Sequence, residues 1–109
     1  MDILFKDRKL EGICRDEKRM VRQLGPGSAR KLRARLKDLS AAANMEEIRV
    51  GRPHRLSSDL RDCVALDLAG GMRLVLEAAD DPTPRREDGG IDWASVTRVR
   101  VVFIGNYHD

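Results

Sequence analysis

Aromatic side chains are scarce in this chain: Phe5, Trp93, Phe103 and Tyr107 are all it has in 109 residues. Its core must therefore be aliphatic. Cysteine is almost as rare, with Cys14 and Cys63 far apart and set in neither CxxC nor Cys/His spacing. That excludes a zinc site and a disulfide framework and leaves two free, buried thiols as the expectation. No apolar run approaches the roughly 20 residues that span a bilayer. Met1–Lys6 lacks the apolar stretch of a secretory signal, so a cytoplasmic protein without membrane contact is expected. Internal repeats and low-complexity tracts are missing too. The chain has room for one domain, 1–109, able to bury roughly two-thirds of its unfolded surface.

What is abundant is charge. Apolar residues make up 41% and charged residues 36% of the chain, the balance of a compact, well-solvated protein rather than a disordered one. The net charge is +3, but residues 1–61 hold 16 Lys/Arg against 9 Asp/Glu, whereas residues 62–109 hold 5 against 9. A basic front half attracts polyanions, of which nucleic acid is the commonest. A solvated helix surface accounts for the same pattern without a partner.

Ile3-Leu4-Phe5 reads as a short strand that joins a larger sheet. From Asp7, apolar residues recur at Leu10, Ile13, Cys14, Met20, Val21 and Leu24, the spacing of one helix with a gap at Glu17. Gly25-Pro26-Gly27 stops it. Ser28 is placed to cap a second helix, whose Ala29, Leu32, Leu36, Leu39 and Ala43 form one stripe. The outer faces of this helical hairpin carry Lys18, Arg19 and Arg22, then Arg30, Lys31, Arg33, Arg35 and Lys37.

Gly51-Arg52-Pro53-His54 reads as a loop. Beyond it, alternation takes over: Val64, Leu66 and Leu68 face one way, Cys63, Ala65 and Asp67 the other. Gly70-Gly71 supplies a tight hairpin turn. The return strand sets Met72, Leu74, Leu76 and Ala78 against Arg73, Val75 and Glu77, which puts Arg73 and Glu77 on one side. Residues 80–95 are too polar and too rich in breakers for a regular element, and Trp93 is expected to pin this loop to the body. The last strand puts Thr97, Val99, Val101 and Phe103 on one face and Arg98, Arg100, Val102 and Ile104 on the other. It runs into Asn106, Tyr107 and His108, side chains expected to dock in a cleft rather than fray. The order implies an α+β fold: an N-terminal strand and a helical hairpin on one face of a mostly antiparallel four-stranded sheet, with the other face open to a ligand.

This order resembles the HigB toxins of the RelE/ParE superfamily nearly end to end. The resemblance rests on Ile3-Leu4-Phe5-Lys6-Asp7-Arg8-Lys9-Leu10-Glu11, His54-Arg55-Leu56, Gly71-Met72-Arg73-Leu74-Val75-Leu76-Glu77, Asp88-Gly89-Gly90-Ile91-Asp92-Trp93 and the closing Asn106-Tyr107-His108. It implies the toxin half of a toxin–antitoxin pair: a ribosome-dependent endoribonuclease that cuts mRNA in the decoding site, uses no metal or cofactor, and is held by a helix-turn-helix, HigA-like antitoxin. It also implies Arg73, Tyr107 and His108 as active-site residues, with Glu77 part of the motif. Such toxins often carry Asp where Asn106 stands and Lys where Ser57 stands. Arg61 and Arg55 are the candidates to replace that lysine's charge.

Those residue types suit the chemistry. An imidazole exchanges protons near neutral pH, which His108 would do. A guanidinium presents a permanent, planar fork to phosphate oxygens, the role assigned to Arg73. Tyr107 would hydrogen-bond the phosphate or stack on a base. His54 beside Pro53 reads as structural, and Glu77 either orients an arginine or lies exposed. Lys18, Arg19 and Arg22 are candidates to follow ribosomal RNA, unless that face receives the antitoxin. The alternatives are a ParE-like DNA gyrase inhibitor, which needs no histidine, and a noncatalytic RNA- or partner-binding module.

Overall fold

The computed structural model describes residues 1–106, apart from the side chain of Ser58. The elements run β1 (Asp2–Phe5), α1 (Arg8–Arg15), α2 (Glu17–Ala41), β2 (His54–Arg55), β3 (Cys63–Asp67), β4 (Met72–Ala78) and β5 (Arg98–Asn106), with short 3-10 turns at Met45–Glu47, Ser58–Leu60 and Trp93–Ser95. The strands form one sheet in the order β1-β5-β4-β3-β2. Only β1 lies parallel to its neighbour. Among the described residues the sheet thus has five strands, not four. The fifth is β2, where His54 pairs with Ala65 and Arg55 with Val64; two residues are too few for alternation to show.

The helical hairpin is present, with its first break earlier than the apolar spacing implies. Asp7 caps α1 by accepting from the Leu10 N–H at 2.9 Å. The helix then stops at Arg15, because Asp16 turns extended and its carboxylate accepts from the Lys18 and Arg19 N–H groups, starting α2. The gap at Glu17 marks this joint. Gly25, at φ 81° and ψ 162°, turns α2 back on itself, and an ion pair between Glu17 and Arg33 ties the two halves together. The helix resumes at Pro26, whose fixed φ suits a first helical position. Ser28 is consequently already inside and does not cap. It is 3% exposed, and its hydroxyl donates to the Ala69 carbonyl and accepts from the Ala69 N–H, both at 3.2 Å. The hairpin is thereby fastened to the β3–β4 turn, where Gly70 and Gly71 hold φ at 58° and 83°.

The helices cover one sheet face. Met20, Leu32 and Leu39 pack there on Leu66, Leu74 and Val101 in the main core, which also takes in Trp93 and buries Ile91 from the 80–95 loop. Among the described residues the opposite face carries only a small cluster, Leu56, Cys63, Ala65 and Val75. Both cysteines are free thiols, Cys63 buried and Cys14 half-buried. Burial pushes Cys14 up to about 12; burial, then the charges of Glu77 and Asp62, raise Cys63. Neither is a ready nucleophile. No helix among the described residues is long and apolar enough to cross a membrane.

Strict alternation fails in β5. Its register with β4 shifts between Val75 and Leu76, where Leu76 pairs with Val101 and Val75 with Phe103, leaving Val102 as the extra residue of a β-bulge. Val99, Val101 and Ile104 accordingly pack with the helix-side core, while Val102 joins the open-face cluster. Phe103 goes with it, not with Val99 and Val101.

Asp80 fixes where β5 begins. Its carboxylate accepts from the Thr97 hydroxyl at 2.7 Å, from the Thr97 N–H and from the Arg98 N–H. Burial pushes its carboxyl up, but those hydrogen bonds outweigh burial and hold it below the usual carboxylate range. The stabilisation is therefore complete above the unfolded carboxylate value of about 3.9 and is lost as pH falls through the lower folded value. Asp80→Ala is expected to cost about 2 kcal/mol in urea unfolding at pH 7, and its stability should decline less than the wild type's between about pH 5 and pH 2.

Candidate functional site on the open sheet face

β3 and β4 place Asp67 and Arg73 opposite each other on the face that the helices leave uncovered. Arg73 Nε lies 3.7 Å from Asp67 Oδ1, and the arginine side chain is only 17% exposed. Asp67 also receives Arg52, whose Nε and Nη2 donate to Oδ2 and Oδ1 at 2.7 and 3.4 Å. The hydrogen bond from Arg52, helped by the charges of Arg52, His54 and Arg73 against some burial, holds the Asp67 carboxyl below its ordinary value. One carboxylate thus anchors two guanidinium groups. Among the described residues, the Arg73 guanidinium has Asp67 as its ion-pair partner and makes no hydrogen bond.

His54 completes the group. It pairs with Ala65, two residues before Asp67 on the same face. Its Nδ1 lies 2.8 Å from the Arg52 carbonyl; a carbonyl only accepts, so Nδ1 carries the proton and, in the neutral ring, Nε2 is the free base. Nε2 is the one buried side-chain nitrogen or oxygen among the described residues without a hydrogen-bond partner. Folded proteins rarely leave a buried polar atom so.

Phe103 adds an aromatic surface. Turned over by the bulge, it lies beside Val75, is 38% exposed and leans across Gly105, the register partner of Arg73. A Cβ at Gly105 would meet the ring at 2.7 Å, so only glycine allows this approach.

The opposite end of the face is electrostatically different. Glu77 is bound by Arg100 at 2.6 Å and not by Arg73. Both border an open cavity of about 450 Å³ whose other charged walls include Asp62, Asp80, Asp81 and Arg85. Four carboxylates against two guanidiniums repel phosphate there, so an anion is directed to the Arg52–Arg73 end.

The other sequence candidates lie elsewhere. Arg55 pairs with Val64 and so projects to the helix side. Arg61 is exposed in the turn before β3. Asn106 pairs with Met72, its side chain against Gly71. Lys18 and Arg22 are exposed on the outside of the hairpin, beyond the helices from this face. Arg19 is half-buried, folded over Gly12, where a Cβ would clash with its guanidinium. Tyr107 and His108 lie outside the described residues. Sequence reading missed Arg52 and Phe103 and discounted His54. The only signal for the first was a charged residue inside a Gly-Arg-Pro-His loop.

No family model and no curated protein sequence matches the chain. Solved structures do. A YoeB/ParE toxin from Agrobacterium tumefaciens superposes with a TM-score of 0.61 at 11% identity, over 99% of this chain and 100% of that one. A YoeB–YefM complex from Staphylococcus aureus gives 0.58 at 18% identity, and a YoeB dimer from the same organism 0.58 at 19%, each over 100% of this chain and 98% of the other. The class is therefore defined by architecture: the chain has the α+β fold of RelE/YoeB-type toxins. These three neighbours are YoeB or YoeB/ParE toxins, and the HigB type expected from the sequence is not among them.

Proposed function

We propose that this protein is the toxin of a toxin–antitoxin pair and cuts messenger RNA on the ribosome, in the cytoplasm. The observation that carries the reading is the Arg52–Asp67–Arg73–His54 group on the uncovered sheet face. End-to-end likeness to YoeB toxins and the ordered HigB-like motifs support it.

Cleavage proceeds by attack of the 2′-oxygen on the adjacent phosphorus, with loss of the 5′-oxygen. His54 Nε2 takes the 2′-hydroxyl proton. Arg73, aimed by Asp67 and flanked by Arg52, binds the phosphate oxygens as negative charge builds on them. His108 gives a proton to the departing 5′-oxygen, and the products carry a 2′,3′-cyclic phosphate and a 5′-hydroxyl. Phe103 stacks on a flanking base, and Tyr107 stacks or hydrogen-bonds the phosphate. Arg52, rather than the sequence candidates Arg55 and Arg61, supplies the charge of the missing lysine. Glu77 holds Arg100 at the margin of the face, and Asn106 ends the strand beside the β3–β4 turn. Lys18, Arg19 and Arg22 belong to the far side of the molecule and meet ribosomal RNA or the partner rather than the scissile phosphate. That partner is an antitoxin, in line with the YoeB–YefM complex among the neighbours, and the HigB-like motifs favour a helix-turn-helix protein of the HigA type.

Induction in a bacterial host with primer extension on a reporter mRNA tests the reading. Growth arrest with new 5′ ends inside the message is expected, and neither should appear with Arg73→Ala. Arrest with intact messages contradicts cleavage, and altered DNA supercoiling in the same cells would transfer the reading to gyrase inhibition.

A further inference from the structure

One side chain of the helix layer reaches the open-face group. Arg35 stands among the basic residues of α2, yet it is half-buried and its Nε donates to the Asp67 carbonyl at 3.3 Å. The N–H of the same Asp67 donates to the Gly51 carbonyl at 2.7 Å. Gly51 has φ 80°, and a Cβ there would lie 2.5 Å from Arg35 Nε and 3.2 Å from its Cδ. Arg52 follows at φ 48°, the only positive φ on a non-glycine among the described residues. Such a backbone is costly and persists only where its surroundings impose it. From that position Arg52 clamps the Asp67 carboxylate through its side chain and accepts from His54 through its carbonyl. The turn that carries Arg52 is thus laid directly on the Arg35 side chain.

We propose that Arg35 is a positioning residue: by holding the Asp67 carbonyl and packing under Gly51, it fixes the Arg52 turn and so aims Arg73 and His54 at an RNA phosphate. The inference rests on reading the open face as an RNA site, but its test does not depend on cleavage. The groups facing Asp67 are Arg52, Arg73 and His54 at the carboxylate and Arg35 at the carbonyl.

NMR titration of the Asp67 carboxyl reads the clamp directly. In Arg35→Ala it is expected to rise toward the ordinary carboxylate value of about 3.9, with affinity for a short RNA made uncleavable by a 2′-deoxy at the scissile position falling about tenfold. Arg35→Gln, which keeps a donor without the charge, should recover part of both and serves if the alanine variant does not fold. Gly51→Ala should shift Asp67 in the same direction from the other side of the contact. In an Arg52→Ala background, Arg35→Ala should move Asp67 no further. An unchanged Asp67 in Arg35→Ala, or an equal shift with and without Arg52, overturns the proposal, the latter because the effect would then be simple loss of a nearby charge. Intact messages alongside the expected Asp67 shifts would count against the nuclease reading alone.

Discussion

Replacing Arg73 with alanine is expected to slow mRNA cleavage by about 10²–10³-fold, the usual cost of removing one preorganised donor from a developing oxyanion. Arg73 is the guanidinium on β4, between the open-face residues of β3 and β5, and Asp67 approaches it most closely at Nε. In the proposed mechanism the guanidinium meets the phosphate with little reorganisation, because Asp67 already holds the side chain. Loss of the side chain leaves Asp67 still paired with Arg52, so no bare buried carboxylate results and urea unfolding should change by less than about 1 kcal/mol. Arg73→Lys restores charge but not the planar two-point fork, and should recover only part of the rate. Single-turnover cleavage on programmed ribosomes, with the unfolding curve of each variant, separates lost chemistry from lost structure.

His54→Ala is expected to lower the rate by about 10²–10⁴-fold, the range for a positioned proton acceptor. Among the described residues no group hydrogen-bonds the buried Nε2 of His54, the atom that the proposed step uses. If the imidazole acted only by bridging to the Arg52 carbonyl, His54→Asn, which keeps a short donor, would preserve activity; it is expected not to. Single-turnover cleavage by wild type, His54→Ala and His54→Asn checks it.

Much of this arrangement was legible from residues alone. Alternation over Cys63–Asp67 and Met72–Ala78 assigned both faces of β3 and β4 correctly, and with them the side on which Arg73 lies. Gly25-Pro26-Gly27 and Gly70-Gly71 marked both reversals. The remainder depends on contacts between residues distant in sequence. Asp16 ends a helix through its side chain and leaves the apolar period almost intact. The extra residue at Val102 is defined only by pairing with β4, so alternation assigned Phe103 to the wrong face. Arg52 gains its role from Asp67, fifteen positions on, and His54 from a strand of two residues. A site built at the end of a loop is read poorly from local pattern, because what fixes the loop lies on other elements.

The central claim is that RNA meets the sheet face that the helices leave open. A backbone amide and arginine side-chain NMR titration with a short RNA, uncleavable through a 2′-deoxy at the scissile position, tests it most directly. Shifts concentrated at Arg52, His54, Asp67, Arg73 and Phe103, with Lys18 and Arg22 nearly still, are the expected result. Shifts confined to Lys18, Val21, Arg22 and Arg33 on the outside of the hairpin would contradict it.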